Sequence, residues 1–299
     1  MGGMKILSRR RVRELQWFGL VLSIVTCWNV APRTSELSRG HSPEPVSVNK
    51  PPGKLVALTF DDGPKPYVLM GRKSQKGVSS PSLLDLLDRE GVKATFFVMG
   101  FRLADTANDF CRQIDVGINC RQAAEEEHRR GHEIENHTYG HGTFSKMAKR
   151  YGEDWILNDI DRASRIIQSL SGVRPRYIRP PDWDISETLR KEIEARGYHV
   201  MTKSKGDVSE APALEDVDSQ DYIYAKLRSP QSAAKTEHDY VLQRIDQRER
   251  KGICTHILVF HELPISVEVL STLIPELKQR GYRFELLEDY MKSLAAAPK

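Results

Sequence analysis

In TFDDGP, residues 59–64, two adjacent carboxylates close the apolar run LVALTF, and a glycine and a proline follow them. Neighbouring negative charges repel, so keeping Asp61 and Asp62 both ionised at a strand end requires a nearby cation or a divided role, one binding and one acting as base. Taken alone, the pair also suits a capped turn. HTYGH, residues 137–141, weighs for the cation: His137 and His141 can converge on one ion, and Gly140 with Gly142 favours a compact loop. Two His and one Asp make a three-ligand set with an open position, which lets a zinc-like ion acidify water, although the ferrous facial triad uses the same residue types. An adjacent free carboxylate favours hydrolysis, with Asp61 taking the proton of the water.

Apolar runs of strand length position these groups. Strands are expected at 55–60, 94–99, 132–136, 176–179, 198–202, 256–260 and 282–286, separated by segments of helical periodicity. Pro81 should open one helix at its first position, Gly91, Gly172, Gly197 and Gly281 should close four, and Pro275 marks a kink or a second start. Strands alternating with helices, several of them wholly apolar, indicate an α/β fold whose parallel sheet is covered on both faces. In such a sheet the ligand site belongs at the carboxyl ends of the strands. Asp61 and Asp62 follow the first strand, His137 and His141 the third, and His261 the sixth, while Arg179 ends the fourth and Asp207 lies in the loop after the fifth. Residues 70–80 and 204–240 interrupt the rhythm on that same rim, as cleft-shaping or surface insertions.

The formal net charge of +4 is carried by Lys5, Arg9, Arg10, Arg11 and Arg13, so the remainder offers no electrostatic case for nucleic acid. Behind that basic cluster lies the apolar run 17–28; residues 1–31 thus read as a signal peptide or as an uncleaved anchor through 17–31. Either form sends the rest into the secretory pathway, secreted or membrane-anchored. Residues 32–53 are a flexible connector, and the catalytic domain spans 54–299. Cys111 and Cys120 should form a disulfide worth roughly 2–3 kcal/mol, with Cys254 left as a buried thiol. His41, His128, His132, His199, His238 and His256 read as structural or solvated. Asn136 begins an N-H-T sequon, but the neighbouring candidate ligand His137 makes a glycan there improbable.

TFDDGP and GHEIENHTYGH, with RPPDWD and VFHE after them, resemble in order the motifs of the polysaccharide deacetylases of carbohydrate esterase family four, which include the chitin deacetylases, over residues 54–290. The resemblance implies a distorted parallel (β/α) barrel of about seven strands. It implies Asp61 as general base, Asp62, His137 and His141 as ligands of one divalent ion (zinc, with cobalt as the alternative), Arg179 orienting the base and His261 as general acid. Asp207 matches the aspartate that pairs with the catalytic histidine, although Val208 stands where Trp is customary. Asp182 replaces an aromatic residue but keeps the backbone donor for the oxyanion, and Trp183 supplies the displaced aromatic wall. The implied substrate is an acetylated glycan containing N-acetylglucosamine. O-acetyl esters or small amides at the same site are the alternative, and a catalytically silent glycan-binding surface protein is the alternative of another class.

Overall fold

The computed structural model describes residues 53–71, 81–104, 117–202, 216–227 and 230–296. Asp207, Cys27, Cys111, residues 1–31 and nearly all of the 32–53 connector lie outside the described residues. The described residues form eight strands: β1 (Leu55–Gly63), β2 (Thr95–Val98), β3 (Glu133–Asn136), β4 (Tyr177–Ile178), β5 (His199–Val200), β6 (Asp216–Asp218), β7 (Thr255–His261) and β8 (Arg283–Glu285). Every ladder is parallel, in the order β5-β4-β3-β2-β1-β7-β6. β8 pairs with the lower half of β1 at Leu55–Ala57, while β2 pairs with its upper half from Thr59.

Seven of these strands match the sequence expectation. β6 falls instead inside the supposed 204–240 insertion, which also carries the start of a long helix. β1 and β7 run further than expected, so that Asp61 and His261 are paired residues of the ladder rather than loop residues.

The longer helices are α1 (Leu83–Arg89), α2 (Cys120–Arg129), α3 (Phe144–Tyr151), α4 (Glu153–Ser171), α5 (Glu187–Ala195), α6 (Pro230–Glu249), α7 (Pro264–Gln279) and α8 (Leu287–Ala295). Ser82 caps α1 by accepting from Asp85 N, which leaves Pro81 just outside the helix rather than at its first position. α7 passes through Pro275 unbroken, because the carbonyl left without a donor belongs to exposed Ser271 and can turn to water.

Side-chain alternation along β1 sets the layers. Val56, Leu58 and Phe60 face outward into the main core with Phe96, Val98 and the apolar sides of α1 and α7. Leu55 and Ala57 face inward with Phe97, Tyr177, Met201 and Ile257, and α8 closes this inner cluster with Leu287 and Tyr290. Each fully buried Leu or Phe contributes roughly 1.5–3 kcal/mol.

The sheet is curled. β4 stands three strands from β1, roughly 14 Å along a flat sheet. Yet Arg179, directly after β4, places Nη1 2.6 Å from Asp61 Oδ1 on β1.

Among the described residues no cysteine is free. Cys120 is disulfide-bonded, as expected of it. Cys254 is disulfide-bonded too, which corrects its reading as a buried thiol: it lies half-exposed just before β7, where a bridge can reach it.

Candidate active site

Adjacent residues of a strand normally face opposite sides, so Asp61 and Asp62 need a special backbone to serve one pocket. It is provided by a register shift between Phe60 and Gly63 and by a left-handed conformation at Asp62, φ 66°. Gly63 follows because a Cβ there would lie 1.6 Å from Glu262 Oε1. Glu262 is fully buried after β7 and accepts from Lys65 N at 2.5 Å, pinning the turn beyond Asp62.

The loop after β3 presents His137 and His141, and internal hydrogen bonds hold its shape. Thr138 N donates to Asn136 Oδ1, His141 N to Thr138 Oγ1, and Tyr139 N and Gly140 N both donate to Asp159 Oδ2 on α4. Asn136 is itself fully buried, donating to Ile160 O and Ser164 Oγ, so its sequon is closed to a glycan.

His137 Nε2 lies 3.3 Å and His141 Nε2 2.9 Å from Asp62 Oδ1, and the three potential ligand atoms fall within 4.8 Å of one another. His137 Nδ1 is 2.8 Å from the carbonyl of Arg179, which can only accept; the proton is therefore on Nδ1 and a lone pair on Nε2. That lone pair faces a carboxylate oxygen that is buried without a hydrogen-bond partner. Burial works to raise the Asp62 pKa, but His137 and His141 hold it far below the usual carboxylate range, and Asp62 in turn pushes His141 up. Such a converging acceptor set fits a divalent cation and leaves a coordination position open to the cavity.

Asp61, beside this cluster, is 4% exposed and bonded to Arg179, which is wholly buried. The Arg179 guanidinium lies 4.1 Å over the Phe97 ring, and its Nη1 also donates to Thr59 Oγ1 at 3.0 Å. A planar, permanently charged fork packed in this way cannot drift, so the Asp61 carboxyl stays aimed. The backbone carbonyl of the same residue orients His137, so Arg179 contacts both Asp61 and His137.

The structure assigns the partner of His261 to Asp221, on the helical turn after β6. Its Oδ1 lies 2.7 Å from His261 Nδ1, and its Oδ2 accepts from His261 N and Ser266 Oγ. With Nδ1 occupied by Asp221, the role expected of Asp207 is taken; Asp207, still farther from His261 along the chain, lies outside the described residues. A signal was present in DSQDY, residues 218–222, where an aromatic residue does follow the aspartate. Tyr222 packs edge-on to His261 at 5.4 Å, filling the place for which Val208 had looked like a departure. Burial works against the imidazolium, but the hydrogen bond it donates to Asp221 and the charges of Asp221, Asp61 and Asp62 push His261 up to about 9. Its Nε2 stands 4.0 Å from Asp62 Oδ2, facing the cavity.

Asp61, Asp62, His137, His141 and His261 line one cavity of about 430 Å³, walled by Trp183 and Tyr222. Asp182 also lines it, with its carboxylate turned to Thr143 Oγ1 at 2.7 Å. The neighbouring Asp184 caps α3 through Ser145 N. The other described histidines stay outside: His132 Nδ1 accepts from Ala94 N, and His256 is enclosed by Arg248 and Tyr282.

A model of the family described as polysaccharide deacetylase matches residues 48–201. The chain is similar to a peptidoglycan-N-acetylglucosamine deacetylase of Bacillus cereus, 29% identical over 234 residues, which are 78% of this chain and 66% of that protein. This chain thus spans slightly less than two thirds of that relative's length. A chitin deacetylase of Colletotrichum lindemuthianum is 27% identical over 259 residues, covering 83% of this chain and 84% of the other. Among solved structures, a peptidoglycan N-acetylglucosamine deacetylase superposes with a TM-score of 0.58 at 27% identity, over 81% of this chain and 91% of that one. An acetyl xylan esterase from Clostridium thermocellum in complex with cobalt does so with a TM-score of 0.54 at 27% identity, over 82% and 93%. The family match ends before Asp221 and His261, so their pairing rests on geometry, whereas the strand-end motifs carrying Asp61, Asp62, His137, His141 and Arg179 lie within it: the chain belongs to the polysaccharide deacetylase family.

Proposed function

We propose that this protein is a metal-dependent hydrolase that removes N-acetyl groups from a glycan containing N-acetylglucosamine, such as chitin or its oligomers. The single feature that carries this reading is the buried, unpartnered Asp62 oxygen facing two imidazole nitrogens, beside a second carboxylate held at 2.6 Å by Arg179. Asp62, His137 and His141 would hold a divalent ion, which when bound supplies Lewis acidity toward the acetyl carbonyl and acidifies water. Asp61 accepts the proton of the attacking water. His261, kept protonated by Asp221, delivers a proton to the leaving nitrogen as the carbon–nitrogen bond breaks, so that acetate and a free amine result. The Asp182 N–H donates to no described group and remains available to the developing oxyanion.

Acetate release from N-acetylglucosamine oligomers, abolished by chelator and restored by zinc or cobalt, is the test. Release from acetylated xylan alone would favour a second reading, an O-acetyl esterase, which the similarity to an acetyl xylan esterase supports. Residues 1–31 are further proposed to direct the chain into the secretory pathway, as cleaved signal or as anchor through 17–31. N-terminal sequencing of exported material decides between these. No helix among the described residues is long and apolar enough to cross a membrane, and 17–31 lie outside them.

A further inference from the structure

Resting on the deacetylase reading, we propose that Asp182 is a specificity-determining residue that favours glycans carrying free ammonium groups near the reacting unit and disfavours glycans carrying carboxylates. The residue is exposed on the cavity wall beside Trp183 and His141. Two consecutive left-handed residues, Asp182 and Trp183, both at φ 58°, fix it on the rim. One carboxylate oxygen accepts from the neutral hydroxyl of Thr143, and the other accepts nothing from the described residues.

Three of the other carboxylates at the site face a cationic or imidazole group, and Asp218, also in the lining, accepts from Gln220 N. Arg179 faces Asp61, two imidazoles face Asp62, and His261 faces Asp221. Asp182 forms no ion pair with a described residue, and no described Lys or Arg lines the cavity. An aromatic side chain at this position would give a sugar a flat, uncharged face. A carboxylate instead attracts ammonium and hydroxyl donors and repels anions, through a partly solvated medium in which one such charge shifts affinity by roughly 5-fold to 50-fold. Because deacetylation itself creates amines, the substrate class indicated is a glycan already partly deacetylated, attacked next to units opened earlier.

The test uses metal-loaded protein, wild type and Asp182→Asn, a shape-conserving change that tolerates the left-handed backbone. Affinities for a glucosamine pentamer, an N-acetylglucosamine pentamer and an alternating N-acetylglucosamine–glucuronic acid oligomer are measured by calorimetry at mildly acidic pH, where the amines are protonated. Wild type should bind the cationic oligomer most tightly and the anionic one least. Asp182→Asn should reduce the cationic-to-neutral affinity ratio by about 10-fold. Added salt should shrink the ratio in wild type alone, a reading that needs no folded variant. An unchanged ratio in the variant, or a wild-type preference for the anionic oligomer, overturns the proposal. Binding is read without turnover, so absent acetate release would count against the deacetylase reading and leave these ratios to decide the role of Asp182.

Discussion

Asp221→Asn isolates the charge behind the acid. Asp221 is wholly buried and accepts four hydrogen bonds, from His261 N and Nδ1, Ser266 Oγ and Tyr222 N. The exchange keeps its shape, removes its charge and turns an amide NH₂ toward one pair of donors, at a stability cost of roughly 2–4 kcal/mol. Without that charge, His261 falls from about 9 to its ordinary value near 6.5 or lower, since burial is then opposed by less. At pH 8 the protonated fraction drops from about nine-tenths to about 3%, a roughly 30-fold loss of competent acid, whereas at pH 6 the loss stays under about twofold. A bound cation beside Asp62 lowers both values, which moves the pH window of this loss down without closing it. The assay is kcat/KM for acetate release from N-acetylglucosamine oligomers between pH 5.5 and 9.5, at a temperature where circular dichroism finds the variant folded. The alkaline limb should move down by about 2.5 pH units, and the same exchange at Asp207 should leave it in place. A loss of equal size at every pH from 5.5 to 9.5 would refute the charge argument and reduce Asp221 to a structural role.

Gly63→Ala drives a Cβ into Glu262 and should cost about 1–3 kcal/mol or more by overpacking, seen as a lower melting temperature together with weaker metal binding as the Asp62 turn shifts. Arg179→Met leaves Asp61 buried without its cation; denaturant unfolding should register a loss of roughly 3–5 kcal/mol, and acetate release should fall by more than about 100-fold. His256 accepts from Arg248 at one ring nitrogen and donates to Tyr282 from the other, and burial first, then Arg248 and Lys54, holds it down at about 3. The unfolded chain binds a proton near pH 6.5 that the native state refuses until about 3, so this stability is present above 6.5 and lost as pH falls toward 3. Between pH 7 and pH 4 urea melts should record a loss of roughly 3 kcal/mol from His256 and one of similar size from His132, which burial holds at about 4; His256→Gln should remove the first and leave the second.

What could be seen in the sequence was what local physics dictates. LVALTF and HILVF are apolar on both faces because each strand lies between the inner cluster and the helices, and the Asp and His residues that follow must gather at one rim. Pairings fixed by distant chain were hidden. β6 is a three-residue strand with a single apolar side chain, Val217, and exists because β7 offers Ile257, Leu258 and Val259 as ladder partners. Asp221 depends on that strand for its place, so missing β6 also meant choosing Asp207. The convergence of Asp61 with Asp62 was legible, but its cause, a bulge and a left-handed residue, was not. Nothing in TFDDGP announces that Glu262, some two hundred residues away, packs into the space of the missing Gly63 side chain.

Metal analysis of chelated protein reconstituted with zinc is the most direct measurement of the central arrangement, carried out in parallel on wild type, Asp61→Asn and His137→Ala. One equivalent should bind to wild type and to Asp61→Asn, the latter losing roughly 100-fold to 10,000-fold in acetate release, while His137→Ala should bind none stably. Full activity in stripped wild type, or loss of the ion from Asp61→Asn with its retention by His137→Ala, would contradict the division of labour between the two adjacent aspartates.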